Sequence, residues 1–345
     1  MTVASPTAPH LAGVTRADVL PAAAPTPGSV VSATHPMMGG TVGVHLRAVG
    51  PNDPAAAQEA DRILARLAAW AGRLTRFEID SDLSILNADR RPAVPVRPTL
   101  AAVLDWGREA EGRTDGIVDI ALLDERLAAE AAARLDVGAG HDSGADRDRG
   151  SSSASRVWSL DRRVRGAVVH RPSGLRFDLD GVAKGWLADR ALDLLAGPRS
   201  AGIDADGDIA IRLVRGDRWG IGIADPDTAG HDLAVLELEA RDDRPATRFG
   251  LATSGTSVHR WVGRDDMARH HLIDPRSGRP AVTDVVQASV LAGTARAAEA
   301  WAKTAVILGS EAALEALDRP GIEGAVLVTD RAEMLILPST QRWLA

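Results

Sequence analysis

Lysine occurs at only two positions, Lys184 and Lys303, in a chain whose 40 basic residues are otherwise arginine. An ammonium is a compact point charge, not interchangeable with a planar guanidinium, so these two positions are where chemistry is sought first. Lys184 lies in Asp178-Leu-Asp-Gly-Val-Ala-Lys-Gly-Trp, which joins a strand-like run to the start of a helix. Gly181 and Gly185 let backbone approach a ligand, and the free N–H groups of a helix start suit a phosphate. The helix dipole disfavours a cation in the first turn, so a buried Lys184 needs an anionic partner. Two readings stay open: a phosphate-binding lysine, or one that is solvent-exposed or paired with Asp178 or Asp180. Lys303 follows Glu299 by four residues on another helix, in the favourable order for an ion pair. That pair is either a surface contact worth about a few tenths of a kcal/mol or part of a pocket wall, and local spacing does not choose.

Two further segments carry chemical side chains. Gly202-Ile-Asp-Ala-Asp-Gly-Asp-Ile alternates acids before a strand. It suits a turn beside a ligand or a metal, but it lacks EF-hand spacing, and Asp-Gly pairs are ordinary turn chemistry. Ala252-Thr-Ser-Gly-Thr and His270-His-Leu-Ile-Asp-Pro-Arg-Ser-Gly-Arg-Pro bring hydroxyls, imidazoles and an Asp-Pro turn, as a phosphate or acyl-transfer site would use. A hydrolase triad of Ser254, His271 and Asp274 follows on paper, although Ser254 stands outside any G-x-S-x-G elbow. That outsider reading predicts labelling by an active-site phosphonate.

These residues need elements to position them. Ile63, Leu64, Leu67, Trp70, Ala71 and Leu74 follow the spacing of an amphipathic helix. Further helices are predicted at Leu100–Glu111, at Ala183–Leu195 before Gly197, and at Thr294–Leu308 before Gly309. Strand-like runs are predicted at 41–46, 175–180, 208–214, 219–224, 233–239, 285–291 and 324–329. Such short strands interrupted by helices predict an α+β fold: one domain of mixed, mainly antiparallel sheets with packed helices. Residues 1–33, rich in Ala, Pro, Thr and Ser, read as a disordered leader without an apolar signal core. Residues 138–155 read as a flexible insertion loop within a domain spanning 34–345.

Composition narrows the classes. The absence of cysteine removes disulfides, thiolate metal sites, a thiol nucleophile and a lipid-bearing cysteine. A net charge of −7 argues against nucleic-acid binding. No apolar run reaches the roughly 18 residues of a transmembrane span. The expected location is cytoplasmic.

In chain order these segments resemble the ApbE-type FAD:protein FMN transferases. Met38-Gly-Gly-Thr-Val-Gly-Val resembles the family's M-G-T-T-V opening, with Gly40 where threonine is usual. Arg76-Phe-Glu-Ile-Asp-Ser-Asp-Leu-Ser-Ile-Leu-Asn resembles its aromatic and S-x-L-x-x-L-N segment, and Asp115-Gly-Ile-Val-Asp-Ile-Ala its G-x-F-D-x-T. Residues 178–189 resemble D-L-G-G-I-A-K-G-Y-x-x-D, and 204–209 the N-x-G-G-D turn. The T-S-G and H-H-I-I-D-P-x-T-G-x-P motifs are matched almost position for position, and residues 298–309 resemble A-D-A-x-A-T-A.

The resemblance implies that FAD is a substrate, its FMN portion passing through phosphate to a threonine or serine of an acceptor protein, with release of AMP. It implies an FAD site lined by Met38, Phe77, Ile117, Val118, Asp119, Asp178 and Lys184 and closed by His271 and Leu272. His271 is then the expected general base or acid, with Lys184 and Asp274 beside the chemistry. The family's Mg2+ site corresponds to the Ala183 carbonyl, Glu299 and Lys303, and an ammonium cannot ligate a cation. Either Lys303, held by Glu299, replaces the ion electrostatically, or the chain is a catalytically impaired FAD-binding or sensor protein with a lost magnesium site.

Overall fold

Alternation in Ile209-Ala-Ile-Arg-Leu-Val sends Ile209, Ile211 and Leu213 into one apolar cluster and Ala210 into another, as the two-residue period of a strand requires. The computed structural model describes residues 19–20, 29–50, 53–138, 156–228, 230–256, 261–262 and 268–345. Most of the leader and nearly all of the 138–155 insertion therefore lie outside the described residues. Eight strands form the main sheet: β1 (Val30–Met37), β2 (Gly40–Arg47), β3 (Ala201–Ala205), β4 (Ile209–Val214), β5 (Ala246–Gly255), β6 (Val285–Ala292), β7 (Ile322–Thr329) and β8 (Met334–Ile336). Their order in the sheet is their order in the chain, and every neighbouring pair is antiparallel. Because β1 begins at Val30, opposite Arg47, the end of the stretch read as leader belongs to the sheet.

The α-helices are α1 (Pro54–Leu74), α2 (Asp82–Ala88), α3 (Pro98–Arg113), α4 (Leu123–Gly138), α5 (Ala183–Asp193), α6 (Ala295–Leu308) and α7 (Ser310–Leu317). The first five fall between β2 and β3, and the last two between β6 and β7. Helix α1 starts at Pro54, with the Asp53 carboxylate accepting the Ala56 N–H at 2.9 Å, and it buries Ile63, Leu64, Leu67 and Leu74 as their spacing predicts. Helix α6 runs from the Thr294 cap to Gly309, whose φ of +82° ends it where the sequence does.

One core lies between the first half of the sheet and α1, α3 and α5, and a second between its later strands and α6 and α7. Strands Arg218–Ala224 and Asp232–Glu239 pair with each other, and Trp219, Ile221 and Leu236 pack onto Ile211, Phe249 and Leu291 as a third core.

The expected strand at 175–180 does not form: among the described residues this run pairs with no strand. Asn87, at the end of α2, takes the neighbour's place. Its amide accepts the Phe177 N–H and donates to the Phe177 carbonyl, both at 2.8 Å, so a side chain satisfies backbone groups that a ladder would otherwise pair. Among the described residues no helix is long and apolar enough to cross a membrane.

Candidate active site

The starts of α5 and α6 meet. A Cβ at Gly185 would fall 2.6 Å from the Ala295 carbonyl oxygen, so glycine is what lets the two backbones touch. Each helix then supplies an acceptor to the other's unpaired first turn. Asp189 accepts the Ala295 and Arg296 N–H groups, each at 3.1 Å, and Glu299 Oε2 accepts the Gly185 N–H at 3.0 Å. Glu299 is 3% exposed, and its other oxygen, Oε1, has no hydrogen-bond partner. Burial, reinforced by Asp208, raises the Glu299 pKa well above the usual carboxylate range, against the pull of the Gly185 N–H and Lys184.

Lys184, in the first turn of α5, donates to Asp206 Oδ2 at 2.9 Å, so its direct anionic partner is neither Asp178 nor Asp180. Burial alone would lower its pKa, but Asp208, Asp206 and Asp180 outweigh that and hold the ammonium protonated. Asp208, 6% exposed, is pushed up to about 8 by burial and by the neighbouring Asp206, Asp204 and Asp180, with Lys184 opposing. Desolvation works against ionised Asp180, yet Arg126, then His271 and Lys184, hold its carboxyl well below the usual range.

Glu299 and Lys303 do not form the ion pair expected from their spacing. Lys303 Nζ donates to the Asp180 carbonyl at 3.2 Å and lies over Gly181, where a Cβ would sit 2.8 Å from Nζ. Both side chains turn to the Asp180–Gly185 segment, which packs against this face of α6.

The other expected residues assemble from separate elements. Met38, with φ of +61°, sits in the β1–β2 turn and packs on the first core. Ile117 and Val118 are buried, in different cores, and the Asp178 N–H donates to the Ile120 carbonyl at 2.7 Å, binding the 115–121 loop to the approach to α5. Phe77 is 78% exposed, with the Arg76 guanidinium 4.4 Å from its ring centre. His271 is half-buried and Leu272 is buried in the second core. Asp274 is taken up locally: it binds the Arg276 side chain through both oxygens, at 2.8 to 3.1 Å, and accepts the Arg276 N–H. Ser254 lies within β5, opposite Ala288.

Two arginines escaped the sequence reading. Arg126 in α4 binds both Asp178 and Asp180, and through Glu130 reaches Arg76 beside Phe77. Arg156 joins Asp119 (3.0 Å) and Glu125 (3.3 Å) to the Pro275 carbonyl (3.1 Å), fastening the His271 segment to the 115–121 loop. In a chain this rich in arginine nothing local marks them. Among the described residues no group of three or more His, Asp or Glu side chains is placed to hold a metal ion.

The two lysines of the chain thus lie on the Asp180–Gly185 segment, Lys184 bound to Asp206 and Lys303 to the Asp180 carbonyl. The ApbE family model matches residues 38–326. An FAD:protein FMN transferase of Treponema pallidum is 34% identical over 172 residues, 46% of this chain and 45% of that protein, so the match spans about half that relative's length. The Salmonella typhimurium protein of the same name is 25% identical over 308 residues, 87% of this chain and 85% of that one. The apo crystal structure of the Pseudomonas stutzeri flavinyl transferase ApbE has a TM-score of 0.70 at 22% identity, covering 92% of this chain and 97% of that one. The Thermotoga maritima ApbE protein has a TM-score of 0.74 at 18% identity, covering 92% of this chain and 100% of that one. These two likenesses establish the α+β fold. With a family match reaching from the β1–β2 turn into β7, this chain belongs to the ApbE family.

Proposed function

We propose that this chain is an FAD:protein FMN transferase, moving FMN from FAD onto a threonine or serine hydroxyl of an acceptor protein with release of AMP. The observation that carries the reading is the meeting of two ammonium groups at the entry to α5, Lys184 in its first turn and Lys303 on the Asp180 carbonyl over Gly181. Lys184, in the first turn of α5, supplies positive charge to the diphosphate. Exposed Phe77 and half-buried Asp119 are assigned to the flavin end, with the buried Ile117, Val118 and Leu272 packed behind them. His271 takes the proton of the acceptor hydroxyl as its oxygen bonds to the FMN phosphorus. The bond from that phosphorus to the oxygen bridging to AMP breaks, and AMP leaves with the electron pair. Asp274, committed to Arg276, shapes the turn that carries His271 and is not assigned a proton-transfer step.

A magnesium ion does not fit the residues present. Of the three positions matching the family site, Ala183 offers a backbone carbonyl and Glu299 a buried oxygen without a partner, but Lys303 brings a cation where a ligand is needed. Lys303 instead places its positive charge against the Asp180 carbonyl, beside the diphosphate position.

Incubating the protein with FAD and a threonine-bearing acceptor peptide tests both statements. Covalent FMN on the peptide with stoichiometric AMP, in EDTA as in Mg2+, is the expected result. FAD binding without AMP release would make the chain a flavin-binding protein, and strict Mg2+ dependence would sink the lysine substitution. Wild-type transfer by His271→Ala at saturating FAD would remove His271 from the mechanism.

A further inference from the structure

Asp206 takes no part in the transfer chemistry, yet it is the side chain that Lys184 binds. Two features show that the contact is built into the fold. Asp206 has φ of +61°, in the left-handed region that side-chain-bearing residues occupy uncommonly and aspartate tolerates better than most. Gly40, across the β1–β2 turn, leaves the space the carboxylate occupies: a Cβ at Gly40 would overlap Asp206 Oδ1. Three elements therefore meet at one carboxylate, namely the start of β2, the turn before β4 and the first turn of α5.

The consequence is electrostatic. The ammonium assigned to the diphosphate is already neutralised from within, and Asp208 and Asp180 face it as well. An ammonium has three donors, so Asp206 does not exhaust its hydrogen-bonding capacity. It does set a negative charge in the place a diphosphate must approach. Resting on the transferase reading, we propose that Asp206 sets the affinity of the diphosphate site: an internal carboxylate that occupies Lys184 and that the dinucleotide must displace. The chain thereby holds FAD and other phosphate-bearing nucleotides more weakly than the same pocket without that charge.

Asp206→Asn keeps the shape, and so the fit against Gly40, while removing the charge. Titration of the full chain by flavin fluorescence and calorimetry should show FAD and ADP binding tightened roughly tenfold at low ionic strength, the repulsion between like charges a few ångströms apart in a half-buried site. The gain should shrink as salt rises, because charge repulsion is screened. Riboflavin, which has no phosphate, should bind both proteins alike. Asp206→Ser, also uncharged, should move FAD and ADP in the same direction and guards against a folding defect peculiar to asparagine. Unchanged or weaker FAD and ADP binding in both variants would overturn the proposal, as would an equal gain for riboflavin. If neither wild type nor variants bind FAD, the transferase reading falls first, and the affinity proposal with it.

Discussion

The Gly185 N–H donates to Glu299 at 3.0 Å while Asp189, four residues along the same helix, accepts the first N–H groups of α6. Two helix starts are thus capped by carboxylates exchanged between them, at a contact that only glycine permits. Gly185→Ala should destabilise the fold by about 1–3 kcal/mol, because the added methyl meets backbone that cannot rotate away. Chemical denaturation checks this through a lower midpoint with an unchanged slope.

Asp208 gives stability a defined pH dependence. Its folded pKa, about 8, lies above the ordinary aspartate value of 3.8, so between those values the folded state binds the extra proton. Its contribution is therefore most favourable below pH ~4 and is lost progressively as pH rises towards 8. Asp208→Asn should flatten that part of the stability profile, read from thermal unfolding midpoints across this range; an unaltered slope would contradict the assignment.

Lys184→Met should lower kcat/KM for FAD by roughly a hundredfold or more, since it removes the charge at the diphosphate and leaves the Asp206 carboxylate without its ammonium partner. The comparison to make is FAD against riboflavin binding. A loss confined to FAD locates the effect at the phosphates.

Lys303→Met should reduce transfer by about tenfold or more whether or not Mg2+ is present, through loss of positive charge near the leaving diphosphate. Lys303→Thr restores an oxygen ligand opposite Glu299 and should make activity rise with added Mg2+. Steady-state assays of both variants in EDTA and in Mg2+ provide the check.

Asn87→Ala removes the acceptor and the donor that Phe177 uses. A cost of about 2 kcal/mol is expected, together with weaker FAD binding, because the segment leading to Asp178 and Lys184 loses its anchor. Asn87→Asp keeps the acceptor alone and should fall between the two, as measured by urea unfolding.

Elements whose limits are set by neighbouring residues were legible in the sequence. Thr294 and Gly309 bound α6 because a hydroxyl cap and a left-handed glycine act within a few residues. The run at 175–180 misled, because its alternation is that of a strand while its pairing partner is the Asn87 side chain. Spacing likewise suggested that Glu299 would hold Lys303, an inference valid for an isolated helix but not for one packed on the Asp180–Gly185 segment.

The sequence by itself determined the α+β class, most strands and helices, and the motifs that carry Lys184 and His271, because periodicity, caps and glycine turns are local properties of the chain. Tertiary structure decided the partnerships: Lys184 with Asp206, Glu299 with Gly185, Arg126 with Asp178 and Asp180, Arg156 with Pro275. Charge interactions depend on distance and burial, and both are fixed only when elements remote in sequence pack together.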